Sequence, residues 1–503
     1  MSKASRRLII IIVAFGAAAL VAAGALVLVA STHRRGPLDA SDPSQRQDEP
    51  ALADLTDYSP GPMTQPASAS TRRANPARPA PEQLAFQDLE MGLFIHFGLD
   101  TYTDQTSGDG KKSPDLFNPT ELNCDQWMQT AAAMGARYVV YTARHEGGFC
   151  TWPTASHDYS VKASSWRSGR GDVVREFTDA CRRSGMKVGL YHTPSHDAYS
   201  RRVFKDDPAA YQRVQEQQII ELLSNYGPID YLWFDHHRGS DLYRKIDALV
   251  RRLQPQCLIF GVDTWIQNGH LGVAPETLWN AVDTVDGTAF ERPTSDAGTP
   301  WGRYYRVWET NTEFSGHWFW NGPAVAPVEA MIKKYYFSVG RGANFLPNFA
   351  PDPRGLMTDE VMKRAKQFGD DIRRRFATPV FVACPRGRFS TFTQMLDPPA
   401  TFDHMVLTED LHRGQNISEL LAEYLDGQTW KELARVSTVG HKRIVFFKPV
   451  TAGGIRLSCP AALTDRWALE RVALYLAGPG PKPVTAADEQ WRRRSGSSRP
   501  AGP

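Results

Sequence analysis

Runs of apolar and β-branched residues that end in a polar, reactive residue recur along the middle of this chain. The clearest covers residues 229–234 and is followed at once by Asp235. An acid at the end of a buried strand is costly unless it is paired or takes part in chemistry. Four other runs behave alike: 92–96 ending in His96, 138–142 leading to His145, 188–192 ending in His192, and 258–263 ending in Asp263. Reactive groups at the carboxyl ends of successive strands are typical of a (β/α) barrel and its active site.

Helical patterns alternate with these strands. Asp207 and Pro208 form an N-cap followed by proline at the first helical position, and Gly227 ends the helical spacing that follows. Further helical segments are indicated at 126–134, 173–183, 242–253, 328–339 and 359–374. This alternation predicts an α/β fold, a (β/α)8-like TIM barrel over residues 83–378.

The periodicity changes after residue 378. Short strands are predicted at 402–407, 419–424, 444–447 and 455–458, with turn signals at Asp426–Gly427 and Gly453–Gly454. This pattern favours a C-terminal antiparallel β-sandwich over 379–477. Residues 478–503 are polar and end in Arg, Ser, Gly and Pro, which predicts a disordered tail.

The amino-terminal region has a different composition. Residues 8–30 form an apolar stretch of 23 residues without a charge, which is long enough for a spanning helix. We therefore predict a signal-anchor or transmembrane segment over 1–35 and a disordered Pro/Ala/Ser-rich linker over 36–82. The expected arrangement is a membrane-anchored protein with its folded body exported to the periplasm or cell exterior. Secretion after signal cleavage is the alternative.

Composition disfavours several other classes of protein. The net charge is +3, with acidic and basic residues interleaved, so we expect no nucleic-acid partner. The six cysteines lie far apart without a CxxC pair, which disfavours zinc ribbons and thioredoxin-like chemistry. We predict neither a metal nor an organic cofactor.

Several motifs together resemble glycoside hydrolase family 29, the α-L-fucosidases, from about residue 83 to 477. They are Met-Gly-Leu-Phe-Ile-His-Phe-Gly at 91–98, Gly-Gly-Phe-Cys-Thr-Trp at 147–152, Asn-Tyr-Gly-Pro at 225–228 before Leu-Trp-Phe-Asp at 232–235, the segment 335–346, and Glu-Asp-Leu-His-Arg-Gly-Gln at 409–415. Their details are most similar to the branch that acts on α-1,3/4-linked fucose.

The resemblance implies an exo-acting, retaining enzyme that removes terminal α-linked L-fucose from glycans or glycoconjugates by double displacement. Asp235 would be the nucleophile, and a second carboxyl group about 5–5.5 Å away would be the acid/base. His96 and His145 would bind fucose hydroxyls, because neutral imidazole offers one donor and one acceptor. Trp233 would pack beneath the nucleophile or against the sugar. Four further residues are expected to line the sugar site: Glu146, Tyr191, His192 and His270.

The sequence departs from the family pattern close to this chemistry. The family's His-His-Asp-Gly-Phe reads His-Glu-Gly-Gly-Phe at 145–149, so that Glu146 replaces the second histidine. The Gly-Ala after the nucleophile is replaced by His236 and His237, and the Pro-Trp-Asp after the third strand by Pro-Ser-His-Asp at 194–197. Where the favoured branch has the acid/base within Gly-Asn-Glu, this chain has Asn-Gly-His at 268–270.

The acid/base therefore stays open among four residues. Glu291 is preferred because its surroundings resemble those of the other branch, Glu309 and Glu276 follow, and His270 comes last. Two other functions also stay open. One is a catalytically impaired protein that binds fucose or a related carbohydrate. The other is a metal-dependent hydrolase, although the first strand lacks the His-x-His pair expected in such an enzyme. Its metal would be bound by histidines and an acid at the strand ends: His96, His145, His192, His196, Asp235 and His236.

Overall fold

The computed structural model describes residues 76–103, 107–236, 240–260, 266–269, 273–282, 298–300, 302, 304–464 and 466–482, with only the backbone for 266–269 and 282. Eight parallel strands close into a barrel. They are β1 (Gly92–Ile95), β2 (Tyr138–Arg144), β3 (Lys187–His192), β4 (Tyr231–Phe234), β5 (Leu258–Phe260), β6 (Ile266–Gly269), β9 (Val307–Glu313) and β10 (Asn344–Asn348). A small hairpin of β7 (Ala281–Val282) and β8 (Tyr304–Tyr305) precedes β9. The predicted barrel is thus confirmed.

Helices surround the barrel. They are α1 (Pro81–Gln87), α2 (Cys124–Met134), α3 (Val173–Ser184), α4 (Ala198–Val203), α5 (Pro208–Asn225), α6 (Asp241–Leu253), α7 (Val328–Tyr336) and α8 (Asp359–Phe376). The sequence signals explain their starts: the Asp207 side chain accepts a hydrogen bond from the backbone N–H of Ala210, 2.8 Å away, and Pro208 opens α5.

The barrel strands whose side chains the structure describes are buried on both faces along nearly all of their length. On β4, Leu232 and Phe234 belong to the core beneath the helices, whereas Tyr231 and Trp233 belong to a separate cluster that fills the barrel interior. Since successive side chains of a strand point to opposite faces, this division follows directly from the alternation along the chain. It places the polar residues that follow the strands around one rim of the barrel.

The C-terminal region is a six-stranded antiparallel sheet with the order β11-β16-β12-β15-β13-β14. Its strands are β11 (Phe381–Ala383), β12 (Thr391–Glu409), β13 (Ile417–Asp426), β14 (Thr429–Val436), β15 (Arg443–Ala462) and β16 (Leu469–Tyr475). The long strands β12 and β15 pair with each other in the middle of this sheet, with a register shift between Met395 and Ala400. Buried residues of these two strands and of the strands on either side of them form one core, as expected for a sandwich.

One predicted turn is wrong. Asp426–Gly427 does form the turn between β13 and β14, and Gly427 has a φ of +62°. Gly453–Gly454, however, lies inside β15, so the two strands predicted on either side are one strand. A Cβ at Gly454 would lie 3.1 Å from the Gln394 carbonyl oxygen, and this close approach of the neighbouring strand is a physical reason for glycine there.

The predicted anchor (1–35), the predicted linker (36–82) up to residue 75 and the predicted tail (478–503) from residue 483 onward lie outside the described residues. The last two residues of the predicted linker belong to α1, which begins at Pro81. Within the part of the chain that the structure describes, no helix combines the length and apolar character that crossing a membrane requires. All six cysteines are free; Cys124, Cys150, Cys181 and Cys257 are buried.

Candidate active site

Asp235 directly follows β4 at the carboxyl end of the barrel, with its side chain 19% exposed. The Tyr191 hydroxyl, from β3, donates a hydrogen bond to Asp235 Oδ2 at 2.8 Å. The backbone N–H of His236 donates to the other oxygen, Oδ1, at 2.9 Å. The Tyr243 hydroxyl donates to the Asp235 carbonyl oxygen at 2.6 Å, which fixes the main chain. The carboxylate is therefore oriented by two donors while part of it stays open to a ligand.

His96 follows β1 and is held in one tautomer. Its Nδ1 lies 2.8 Å from the Oδ1 of Asn348, whose Nδ2 donates to the carbonyl oxygens of His317 and Trp318. Because those two bonds fix the amide orientation, Nδ1 of His96 must be the donor and Nε2 is left as an acceptor. Burial and the nearby charge of His145 lower the pKa of His96 well below its usual value, against the raising effect of Asn348. A neutral His96 can accept a hydrogen bond from a ligand hydroxyl.

An aromatic wall surrounds these groups. The rings of His145 and Tyr191 are stacked with centroids 5.2 Å apart, and Tyr191 is stacked on Trp233 at 5.4 Å. Trp318 and Phe319 lie against His96 at 5.0 and 5.4 Å. Trp233 is 4% exposed and lies below Tyr191 in the barrel interior, so it supports the site from beneath. Rings combined with few oriented polar groups suit a sugar, which has apolar faces and hydroxyl edges.

Glu146 and His236 form a close pair beside Asp235. Glu146 Oε1 lies 2.5 Å from His236 Nε2, and the two side chains are 22% and 25% exposed. Burial raises the pKa of Glu146, but hydrogen bonds from His236 and Ser107 and the charge of His145 outweigh it and lower the pKa to about 2. Glu146 is therefore a carboxylate at neutral pH.

Glu309 lies at the opposite end of the barrel. It is fully buried, and its carboxylate accepts hydrogen bonds from the Tyr138 hydroxyl (2.7 Å), the Tyr231 hydroxyl (3.0 Å) and Trp233 Nε1 (3.0 Å). Tyr138 and Tyr231 are the first residues of β2 and β4, which marks the amino ends of the strands. Burial raises the pKa of Glu309 to about 7 although the three bonds lower it. The predicted acid/base role does not fit this position, since Glu309 faces away from the rim that carries Asp235.

Glu276 also lies away from the rim. Its carboxylate is paired with Arg341, 2.6 Å away, and with Arg443 of β15. Arg341 lies just before β10 begins, so this cluster joins the amino end of the barrel to the sandwich. An acid/base role does not fit Glu276 either.

His192 faces the helices rather than the barrel interior. Its Nε2 lies 2.9 Å from Gln218 Oε1 of α5, and the residue is fully buried. Burial and the charge of Arg144 lower its pKa well below the usual value. The predicted sugar contact does not fit, because Tyr191, the preceding residue, already takes the inward direction. The remaining candidates, Glu291 and His270, lie outside the described residues.

The structure therefore brings together six of the predicted or noted residues at one rim, with Trp233 beneath them: His96, His145, Glu146, Tyr191, Asp235 and His236. Sequence reasoning missed Asn348, Trp318 and Phe319. Asn348 is the last residue of β10, so the strand-end rule would have identified it. The run His-Trp-Phe-Trp at 317–320 is the signal for the other two, although nothing in the sequence joins it to β1.

Three ligand atoms converge closely enough to hold a metal ion among the described residues: those of Glu146, Asp235 and His236, all within 4.8 Å of one another. Two ligands 2.0–2.1 Å from one tetrahedral ion would be roughly 3.3 Å apart. The 2.5 Å between Glu146 and His236 is shorter and is the length of a hydrogen bond. The arrangement as it stands holds a proton between the two side chains.

Known proteins match this chain over most of its folded part. Residues 101–374 match the family model described as Alpha-L-fucosidase. Alpha-L-fucosidase 1 of Arabidopsis thaliana is 31% identical over 437 residues, covering 77% of this chain and 85% of that protein.

Two solved structures are similar as well. A glycoside hydrolase 29 family member from an unknown rumen bacterium is 30% identical with a TM-score of 0.73, covering 82% of this chain and 79% of the other. A Ruminococcus gnavus GH29 fucosidase in complex with fucose has a TM-score of 0.70 at 22% identity over 84% and 97% of the chains, and this likeness shows the fold. The family match and the plant relative, over a barrel with an oriented acid at its carboxyl rim, show that this chain belongs to the α-L-fucosidases, glycoside hydrolase family 29.

Proposed function

We propose that the protein is an exo-acting, retaining α-L-fucosidase that removes terminal α-linked L-fucose from glycans or glycoconjugates. The observation that carries the proposal is the Asp235 carboxylate, which two donors orient at the barrel rim beside His96 and His145. Family membership and the names of the relatives support fucose as the sugar.

The mechanism we propose uses these residues as follows. One Asp235 oxygen attacks the anomeric carbon through an oxocarbenium-like transition state and forms a glycosyl-enzyme, which water then hydrolyses. Neutral His96 accepts a hydrogen bond from a sugar hydroxyl at Nε2. Tyr191 holds Oδ2 so that attack needs little reorientation of the carboxylate. Trp318 and Phe319 cover the apolar side of the sugar.

Two measurements test this proposal. Trapping with a 2-deoxy-2-fluoro-α-L-fucosyl donor followed by mass spectrometry should label the peptide that contains Asp235. Proton NMR of an aryl α-L-fucoside digest should show the α-anomer of fucose first, because double displacement retains configuration. Label on another peptide would contradict the nucleophile assignment, and β-fucose as the first product would contradict retention.

A catalytically impaired carbohydrate-binding protein is the second candidate. It is favoured by one observation: Glu276 and Glu309, two of the predicted acid/base residues, lie at the far end of the barrel. Such a protein would bind fucosylated oligosaccharides in calorimetry and release no fucose from them. Release of free fucose by the purified wild-type protein, abolished in Asp235→Ala, would exclude it.

Export and membrane anchoring stay proposals that rest on the apolar stretch at 8–30. Fractionation of cells that express the full chain should place it in the membrane, and protease added outside the membrane should degrade the folded body. Recovery of a shortened, soluble product outside the cell would support signal cleavage instead.

A further inference from the structure

Three departures from the family pattern, at separate places in the sequence, meet beside Asp235. Glu146 stands where the pattern has a histidine, His236 stands where it has glycine, and His196 belongs to the altered segment after β3. Glu146 is bonded to His236, and the rings of His236 and His196 are stacked with centroids 3.9 Å apart. Ser195 Oγ completes the group, 3.0 Å from His196 Nδ1 and 3.2 Å from the His236 carbonyl oxygen.

The backbone of His236 is held in an unfavourable conformation. Its φ is +54°, a left-handed value that glycine adopts freely and that other residues rarely adopt. A histidine at such a position persists only where the surrounding structure over-determines it, and such positions concentrate at functional sites. Here the Glu146 hydrogen bond, the His196 stack and the bond from the His236 N–H to Asp235 hold it.

The pair also lies directly beside the nucleophile. His236 Nε2 is 3.7 Å from Asp235 Oδ2, and a carboxylate oxygen of Glu146 lies within 4.8 Å of one of Asp235. A retaining glycosidase needs a second, proton-transferring group near its nucleophile; where both groups are carboxyls they lie about 5–5.5 Å apart, and the pair here lies closer than that. Among the described candidates, Glu276 and Glu309 lie at the other end of the barrel.

We propose that His236 and Glu146 together are the acid/base of this enzyme, an inference that rests on the proposed fucosidase function. In the first step Asp235 bonds to the anomeric carbon, the bond to the leaving oxygen breaks, and the proton shared by His236 and Glu146 moves to that oxygen. In the second step water attacks the anomeric carbon, one water proton returns to the pair, and the bond to Asp235 breaks.

The charges around the pair determine where the proton resides. Glu146 is ionised and faces His236, Ser107 and His145, while Asp235 and His196 flank the His236 ring. Two carboxylates beside one imidazole favour its protonated form, so His236 carries the proton before reaction and Glu146 stabilises the resulting charge. The pair therefore starts as an acid and becomes a base after the first step.

The experiment compares two variants on substrates with good and poor leaving groups. Glu146→Ala removes the carboxylate, and His236→Gly places at position 236 the residue that its backbone favours, so its folding should be preserved. Both should lower hydrolysis of an unactivated fucosyl disaccharide by at least about 100-fold. Hydrolysis of 2,4-dinitrophenyl α-L-fucoside should fall far less, because that leaving group departs without a proton. Glu216→Ala, on α5, is the matched control and should leave both rates unchanged.

Azide distinguishes this role from a structural one. In both variants azide should restore turnover of the activated substrate and give α-L-fucosyl azide, because it attacks the glycosyl-enzyme that Asp235 still forms. Asp235→Ala should instead give the β-azide.

The proposal fails if either variant keeps wild-type activity on the disaccharide, or if both substrates slow equally and azide restores nothing. Loss of wild-type activity on chelation, with recovery on adding Zn²⁺, would also overturn it in favour of a metal on the same three ligands. Wild-type protein that releases no fucose from either substrate would overturn the proposed function itself.

Discussion

The two ends of the barrel each hold a carboxylate among aromatic side chains, and the two sites differ in what surrounds the carboxylate. Glu309, at the amino end, is fully buried and accepts three side-chain hydrogen bonds. Asp235, at the carboxyl end, has one side-chain donor and one backbone donor and remains 19% exposed. Glu309 therefore has its hydrogen-bonding needs met within the protein, whereas Asp235 can still contact a ligand.

Trp233 connects the two sites, since its indole N–H donates to Glu309 while its ring supports Tyr191, which in turn holds Asp235. A satisfied, water-excluded acid at the amino end can contribute only to the stability of the barrel. An oriented, accessible acid at the carboxyl end can react. The environment of a carboxylate, rather than its presence in the barrel, therefore decides whether it has a structural or a chemical role.

The largest expected effect comes from removing the reactive acid. Asp235→Asn should lower kcat on an aryl α-L-fucoside by at least about 10³-fold, because the amide cannot act as nucleophile. Its midpoint of urea unfolding should stay near that of the wild type. Asp230→Asn, directly before the same strand, is the matched control: it alters a half-exposed pair with Lys187 and should leave kcat unchanged. Near wild-type turnover in Asp235→Asn would contradict the assignment.

The buried acid should show the opposite behaviour. Glu309→Ala leaves the donors of Tyr138, Tyr231 and Trp233 without a partner and opens a cavity, so the free energy of unfolding should fall by on the order of 3–5 kcal/mol. Turnover per folded molecule should change by only a few-fold. Urea unfolding and active-site titration measure the two quantities separately. Equal losses of turnover in Glu309→Ala and Asp235→Asn would contradict the assignment of Glu309 to a purely structural role.

The sequence predicted the reactive site better than the structural one. Strand alternation and polar strand ends correctly placed His96, His145 and Asp235 at a common rim, because parallel strands in a barrel share a direction. Glu309 was wrongly predicted as an acid/base candidate, because the residues around it do not show which end of the strand it occupies. In the structure β9 begins only two residues earlier, at Val307.

Other features were not accessible in this way. His192 could have been excluded from the sugar site on the sequence alone, since successive side chains of a strand point to opposite faces and Tyr191 already points inward. The contact between Glu146 and His236 could not have been predicted, because it joins the loops after two strands that are not neighbours in the barrel. Such a pairing depends on loop conformation, including the positive φ of His236, which has no periodic signal.

The pH dependence of stability should distinguish Glu309 further. Burial raises its pKa in the folded protein from 4.5 to about 7, so the folded state holds the proton more tightly. The resulting stabilisation is complete below about pH 4.5 and is lost as the pH rises towards 7, an effect of about 3 kcal/mol. The free energy of unfolding of wild type minus Glu309→Gln should therefore decrease over this range. Glu409, whose pKa burial also raises to about 7, is present in both proteins and cancels. A flat difference would contradict the raised pKa.

The smallest effect should come from the donor that orients the nucleophile. Tyr191→Phe keeps the ring that stacks on Trp233 and His145 and removes only the hydroxyl that donates to Asp235. Since one hydrogen bond to a charged group is lost, kcat/KM on an aryl fucoside should fall roughly 10-fold with little change in stability. Tyr226→Phe is the matched control, because its hydroxyl donates to Asp172, outside the rim group, and it should affect stability alone. The opposite result would be a Tyr191→Phe variant that is destabilised as much as Tyr226→Phe and keeps its kcat/KM. Tyr191 would then have a structural role like that of Glu309, and only residues closer to the rim than Tyr191 would belong to the reactive site.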